Sequence, residues 1–90
     1  MLVLPAELTH RQATACLHML LQGLKAHREP GVVVDANALT VFDTSALAVL
    51  LECRREALAM RKTFAVQGLP AALRSMAGLY GVGLLLTPAA

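Results

Sequence analysis

Hydrophobic and polar residues alternate with helical spacing between Ala13 and Leu24. Six apolar residues share one side of the predicted helix: Ala13, Cys16, Leu17, Leu20, Leu21 and Leu24. The preceding residues form a capping-box pattern, in which Thr9 would cap the amide of Gln12 and Gln12 would reach back to Thr9. The pattern therefore predicts an amphipathic first helix that frays after Leu24.

Short apolar runs separated by turns predict strands between the helices. Residues 1–4 predict an edge strand ended by a proline, and residues 32–36, which show no polar alternation, predict a central strand covered on both faces. Residues 64–67 predict a further strand. Residues 82–86 predict a last short strand or docked tail, and residues 87–90 a loose end.

A third helix is predicted from Pro70, which suits a first helical turn, to about Leu79, with Gly81 ending it. The resulting order is β-α-β-α-β-α-β over a single domain of residues 1–90. Strands that alternate with helices predict an α/β fold with right-handed crossovers and a mainly parallel sheet.

The second helix, predicted from about Thr44 to Arg61, carries more apolar surface than one docking face requires. Its apolar residues cover about 200° of the helical wheel, whereas about 100° is enough to dock a surface helix. Two arginines divide this arc. One group is Leu47, Leu51 and Leu58, and the other is Ala46, Val49, Leu50, Cys53, Ala57 and Met60. We expect one group to face the protein's own sheet, which leaves the other free for a partner.

Three short polar residues, Asp43, Thr44 and Ser45, precede this helix. Each is a good N-cap, because its side-chain oxygen accepts from the free amides of the first turn. A phosphate on Thr44 or Ser45 would also be tolerated there, and its charge of about −1.5 to −2 would oppose apolar docking. The residues are therefore open to two interpretations, a helix cap and a phosphorylation switch.

Composition narrows the classes of function. Hydrophobic residues make up 57% of the 90 residues and the mean hydropathy is +0.60, so an exposed apolar patch is expected on so small a domain. Charged residues are only 16% and the net charge is +2, which argues against nucleic-acid binding. The basic cluster is interleaved with acids that favour pairing on a helix: Glu52, Arg54, Arg55, Glu56, Arg61 and Lys62. With no signal peptide and no run approaching about 18 apolar residues, we expect a cytoplasmic protein without direct membrane insertion.

Catalytic and metal-binding patterns are missing from the sequence. Cys16 and Cys53 are interpreted as buried small hydrophobes of a reducing compartment. His10 and His18 are two helical turns apart, too distant to share a metal. No nucleophile elbow or phosphate-binding glycine loop is present. We therefore expect no enzymatic activity, no metal and no cofactor.

Four segments together resemble the STAS domain family: residues 4–9 (LPAELT), 33–35 (VVD), 42–47 (FDTSAL) and 69–73 (LPAAL). The resemblance covers nearly the whole chain. It implies a compact α/β fold with a mixed four-stranded sheet and helices packed on one side. The family includes anti-sigma factor antagonists, parts of anion transporters, and MlaB-type subunits of bacterial phospholipid-transport ABC complexes.

The corner sequence from Asp43 to Ala46 combines features of two branches. In antagonists the residue at the position of Ser45 is phosphorylated by an anti-sigma kinase, and in MlaB-like subunits the residue at the position of Thr44 acts on the ATPase. Short length, Thr44 and the apolar second helix are more similar to the MlaB branch. The resemblance then implies a non-enzymatic subunit that binds an MlaF-like ATPase and regulates or stabilises it. This ATPase would belong to a permease complex at the inner membrane, which transports phospholipids and so maintains the lipid asymmetry of the outer membrane. The alternative is an antagonist switched by phosphorylation of Ser45. The expected contact residues are Asp43, Thr44, Ser45, Ala46, Val49, Leu50 and Cys53.

Overall fold

The computed structural model describes residues 1–89, in which strands alternate with helices. The strands are β1 (Leu2–Val3), β2 (Glu7–Leu8), β3 (Gly31–Asp35), β4 (Val41–Phe42) and β5 (Thr63–Gln67). The helices are α1 (Ala13–Ala26), α2 (Thr44–Ala59) and α3 (Ala71–Leu79), followed by a 3-10 turn at Gly83–Leu85. The predicted α/β class is confirmed. The predicted element order lacks β2 and β4, and a 3-10 turn takes the place of its last strand.

The strands of residues 1–89 form two sheets rather than one. A three-stranded sheet has the order β1-β3-β5, and β2 pairs with β4 in a separate two-stranded sheet. All of these pairings are parallel, and Leu2, Val34 and Val66 lie in one row across the larger sheet. The expectation of one mixed, four-stranded sheet is therefore wrong, because Pro5 separates β1 from β2 and the chain then continues in a second sheet.

Only one face of the larger sheet is covered. Val32 and Val34 of β3 are buried, whereas Val33 between them is only half-buried, and β5 repeats the pattern with buried Phe64 and Val66. Alternate residues of a strand point to opposite faces, so the helices lie on one side. The prediction that β3 is covered on both faces is wrong.

Helix α2 lies in the middle of the helical layer. It contacts α1 on one flank, α3 on the other and β5 beneath. Helix α1 buries Cys16, Leu20 and Leu24 against the core, which confirms its predicted apolar stripe, and α3 buries Leu73 and Ala77. Helix α2 ends at Ala59, two residues earlier than predicted.

The C-terminal segment pairs with the edge of the larger sheet. The amide of Val66 donates to the carbonyl oxygen of Thr87 at 2.8 Å, and the amide of Ala89 donates to the carbonyl oxygen of Val66 at 3.0 Å. Residues 87–89 are therefore bound rather than loose, in contrast to the prediction for 87–90, of which residue 90 lies outside the described chain. These bonds satisfy backbone groups of β5 that would otherwise face solvent.

Candidate functional site

The turn between β4 and α2 is fixed by Asp43. Its Oδ1 accepts the amide of Ser45 at 2.8 Å, and its carbonyl oxygen accepts the amide of Ala46 at 3.1 Å. Asp43 has extended backbone angles and Thr44 is the first helical residue, the geometry of an N-cap. Thr44 is exposed and Ser45 is half-buried, so both remain accessible at the surface.

The other carboxylate oxygen of Asp43 binds the loop before α1. Its Oδ2 accepts the backbone amide of His10 at 3.0 Å and lies 3.3 Å from Nδ1 of the same histidine. The His10 amide is the main cause of a lowered pKa of the Asp43 carboxyl, about 2, and the Ser45 amide lowers it further, because both bonds favour the charged form. Asp43 therefore holds two elements together that are 33 residues apart in the chain.

His10 is placed by the turn that precedes α1. The Thr9 amide donates to Oε1 of Gln12 at 2.9 Å, and the Thr9 hydroxyl donates to the same oxygen at 2.7 Å. Gln12 thus reaches back to Thr9 as predicted. The other half of the predicted capping box is wrong: the Thr9 hydroxyl accepts from the amide of Arg11, at 3.3 Å, and the Gln12 amide donates to the Thr9 carbonyl.

The apolar part of the expected contact set is buried inside the molecule. Ala46, Leu50 and Cys53 have no exposed surface, and Val49 is 3% exposed. The expectation that this flank of α2 is free for a partner is wrong, because α1 covers the side that the sheet leaves open. Of the seven expected contact residues, only Asp43, Thr44 and Ser45 present substantial surface.

A shallow groove between α1 and α2 starts at this turn. It is lined by Ala13, Thr14, Leu17, Ser45, Ala48, Val49 and Glu52. Most of these side chains are small, so the groove admits side chains from another molecule. At its far end, Glu52 forms a bidentate pair with Arg55, in agreement with the predicted pairing of acids and bases on this helix, and Arg55 also bonds its chain neighbour Glu56.

Neither His10 nor the α1 side of the groove was identified from the sequence. The link between His10 and Asp43 joins residues 33 positions apart, and no local pattern encodes such a contact. The sequence pattern placed Ala13 and Leu17 on the core-facing side of α1, whereas both line the groove together with exposed Thr14.

Both thiols lie in the core, as expected for small hydrophobes. Cys16 and Cys53 are buried and free. Burial raises the pKa of both thiols, that of Cys53 to about 11, with a smaller contribution from the nearby Cys16. Within residues 1–89 we find no group of histidine, cysteine and acidic side chains that could hold a metal ion. None of the helices in that range has the length and apolar character needed to cross a bilayer.

A family model described as "Mlab, STAS domain" matches residues 1–87. A search of curated proteins returned no match. STAS domains are in general regulatory domains without enzymatic activity. Because the match spans nearly the whole sequence, the chain belongs to the STAS domain family.

Proposed function

We propose that this protein is the STAS subunit of a Mla-type phospholipid transporter, where it binds and regulates or stabilises the ATPase subunit. The observation that carries the proposal is the accessible pair Thr44 and Ser45 at a capped helix start, in a chain whose matching family model is the MlaB-like one. The partner would contact this turn from the cytoplasmic side of the inner membrane.

The α1–α2 groove is the surface that we propose the ATPase contacts. Ala13 and Thr14 on one side and Ala48 on the other leave room for one or two apolar side chains of the ATPase. Ser45 lies at the start of the groove, so a partner filling it would also touch the turn. Asp43 acts as a positioning residue in this arrangement, because it sets the angle between the turn and α1 through His10.

The buried residues Ala46, Val49, Leu50 and Cys53 have a different role in the revised proposal. They hold α2 against α1 and the sheet, and they keep the groove walls at a fixed distance. A charge introduced at Val49 would disrupt the core, and so it cannot test binding separately from folding.

The test is copurification with the ATPase subunit of a Mla-type transporter from the same genome, after coexpression. Thr44→Glu places a charge on the turn, and Ala48→Arg fills the groove; we expect both to abolish copurification. Ala59→Arg is the matched control, because Ala59 is exposed at the opposite end of the same helix. The proposal would be contradicted if both test variants copurified fully with the ATPase while their melting temperatures equalled that of the wild type.

A second candidate function rests on the position of Ser45. Its half-exposed side chain lines the groove, where a phosphate would add a charge of about −1.5 to −2 beside apolar walls and oppose a partner. This is the arrangement needed by an anti-sigma factor antagonist in a partner-switching pathway. Incubation with candidate anti-sigma kinases and ATP, followed by mass spectrometry, separates the two functions. Phosphate on Ser45 supports the antagonist, and an unmodified protein supports the transporter subunit.

A further inference from the structure

The His10 side chain lies beside the turn that begins α2, and most of its ring faces solvent. The ring is 75% exposed, whereas the Asp43 side chain that it contacts is 38% exposed. Oδ2 of Asp43 accepts the His10 backbone amide at 3.0 Å, and Nδ1 of the ring lies 3.3 Å from the same oxygen. The backbone bond links the loop to the turn whatever the side chain, and so exposed a side-chain pair adds little stability. The ring is therefore not needed for this link.

Asp43 determines which nitrogen of the His10 ring carries the proton. The hydrogen bonds that Asp43 accepts lower its pKa to about 2, so at neutral pH its carboxylate is ionised and can only accept. Nδ1 is then the donor in the contact at 3.3 Å. A neutral ring with its proton on Nδ1 has a lone pair on Nε2. Within residues 1–89 Nε2 has no hydrogen-bond partner, so it is an acceptor open to a second molecule.

This acceptor belongs to the same surface as the accessible residues of the turn. Thr44 follows Asp43 directly and is exposed, and Ser45 donates its amide to the other Asp43 oxygen and lines the α1–α2 groove. A molecule that covers the turn would therefore meet the His10 ring at its border. The lone pair on Nε2 and the nearby negative charge of Asp43 both favour a hydrogen-bond donor and disfavour a carboxylate.

We propose that His10 is a specificity-determining contact of this site, where Nε2 accepts a hydrogen bond from an N–H or O–H donor of the ATPase subunit. The inference rests on the function proposed above and adds to it a residue of the loop before α1, together with the chemistry of its counterpart. An arginine, a lysine, a hydroxyl side chain or a backbone amide of the ATPase fits this position. An aspartate or glutamate does not, because it would face the lone pair and the Asp43 carboxylate.

The first test needs only the protein itself. A long-range ¹H–¹⁵N NMR spectrum of the full-length ¹⁵N-labelled chain, recorded at about pH 8, shows which ring nitrogen of each histidine carries the proton. We expect the His10 proton on Nδ1. A ring protonated on Nε2 would overturn the proposal, since that nitrogen would then be a donor.

Three substitutions of His10 separate the acceptor from the ring. Asparagine can donate near the position of Nδ1 but has no atom at that of Nε2, glutamine reaches the position of Nε2 with its carbonyl oxygen, and phenylalanine keeps a ring without nitrogen. Binding of each full-length variant to the ATPase subunit from the same genome is measured by isothermal titration calorimetry. We expect His10→Asn and His10→Phe to weaken binding about tenfold, as for one lost hydrogen bond, and His10→Gln by less than about threefold.

Controls distinguish a contact from a structural role. His18→Asn is the matched control, because His18 is exposed on α1 and does not line the groove, and we expect it to bind like the wild type. His10 is exposed, so its variants should melt within a few degrees of the wild type. We also expect the backbone amide shifts of Ser45 and Ala46 to stay unchanged in these variants, because the turn keeps its Asp43 cap.

Several outcomes would overturn the proposal. Wild-type affinity in His10→Asn or His10→Phe would exclude the contact, and equal losses in His10→Asn and His10→Gln would exclude the acceptor. Weaker binding accompanied by shifted amides of Ser45 and Ala46 would assign His10 to positioning the turn. If Thr44→Glu still abolishes copurification in these cases, the proposed function stands and only the role of His10 falls. A wild-type protein that does not bind the ATPase would overturn both.

Discussion

Replacing Leu50 by alanine separates a core role from a docking role for the buried flank of α2. Leu50 has no exposed surface, and it packs in the cluster formed by α1, α2 and the sheet. Leu→Ala at a fully buried site costs about 2–5 kcal/mol, from lost transfer free energy and the cavity that remains. The whole free energy of unfolding of a 90-residue domain is roughly 5–13 kcal/mol, so the loss is a large share of it.

The assay is urea or thermal unfolding followed by circular dichroism. A loss of about 3 kcal/mol lowers the melting temperature of a domain of this size by roughly 12–24 °C. Leu58→Ala is the matched control on the same helix, because Leu58 is 45% exposed, and we expect it to cost about 1 kcal/mol or less. Equal unfolding midpoints for the two variants would refute the assignment of Leu50 to the core and would restore that flank as a contact surface.

Three further outcomes follow from the geometry. The hydrogen bonds to Asp43 lower its pKa to about 2, so the stability that the carboxylate contributes is present above about pH 4 and is lost as the pH falls through about 2. Asp43→Asn should flatten this part of an acid unfolding titration followed by circular dichroism. A titration curve unchanged by the substitution would contradict this prediction. Gly68→Ala should lower the melting temperature more than Gly81→Ala: both glycines have positive φ, but a Cβ at Gly68 would clash with the Asn37 side chain, whereas the space around Gly81 is open. Equal decreases in melting temperature for the two variants would contradict the clash at Gly68. Cys53 should react with Ellman's reagent only after urea unfolds the protein, since it is buried and its pKa is raised to about 11; fast labelling in native buffer would show that the α1–α2 interface opens.

The sequence predicted α1 and α3 from their periodic patterns, and α2 from the cap-forming residues that precede a long apolar run. Helix α1 buries the stripe that the spacing of Cys16, Leu20 and Leu24 indicated. Helix α2 begins at Thr44 after the Asp43 cap, as the run of cap-forming residues indicated. The strands β2 and β4 were missed because two residues each are too few to show a period.

The protein does expose excess apolar surface, but the sequence-based prediction assigned it to the wrong element, α2. The prediction gave α2 a single neighbour, the sheet, and counted the remaining apolar arc as free. In the fold α2 has three neighbours, so a wide arc is what its central position requires. The exposed excess lies instead at Leu79, Tyr80 and Leu84. The helical pattern of residues 73–80 predicted that Tyr80 belongs to the core stripe of the third helix, which is wrong because α3 ends at Leu79 and Tyr80 is 63% exposed.

The bonds between Val66 and residues 87–89 also determine how this sheet can associate with other chains. An unpaired edge of parallel strands is a template for intermolecular pairing, and here the β5 side is closed by the protein's own tail. Pro88 stands at the centre of that added strand and has no amide to offer a further one. A chain shortened to residue 86 would bare the amide and carbonyl of Val66, and we expect it to form β-rich aggregates on warming where the full chain refolds.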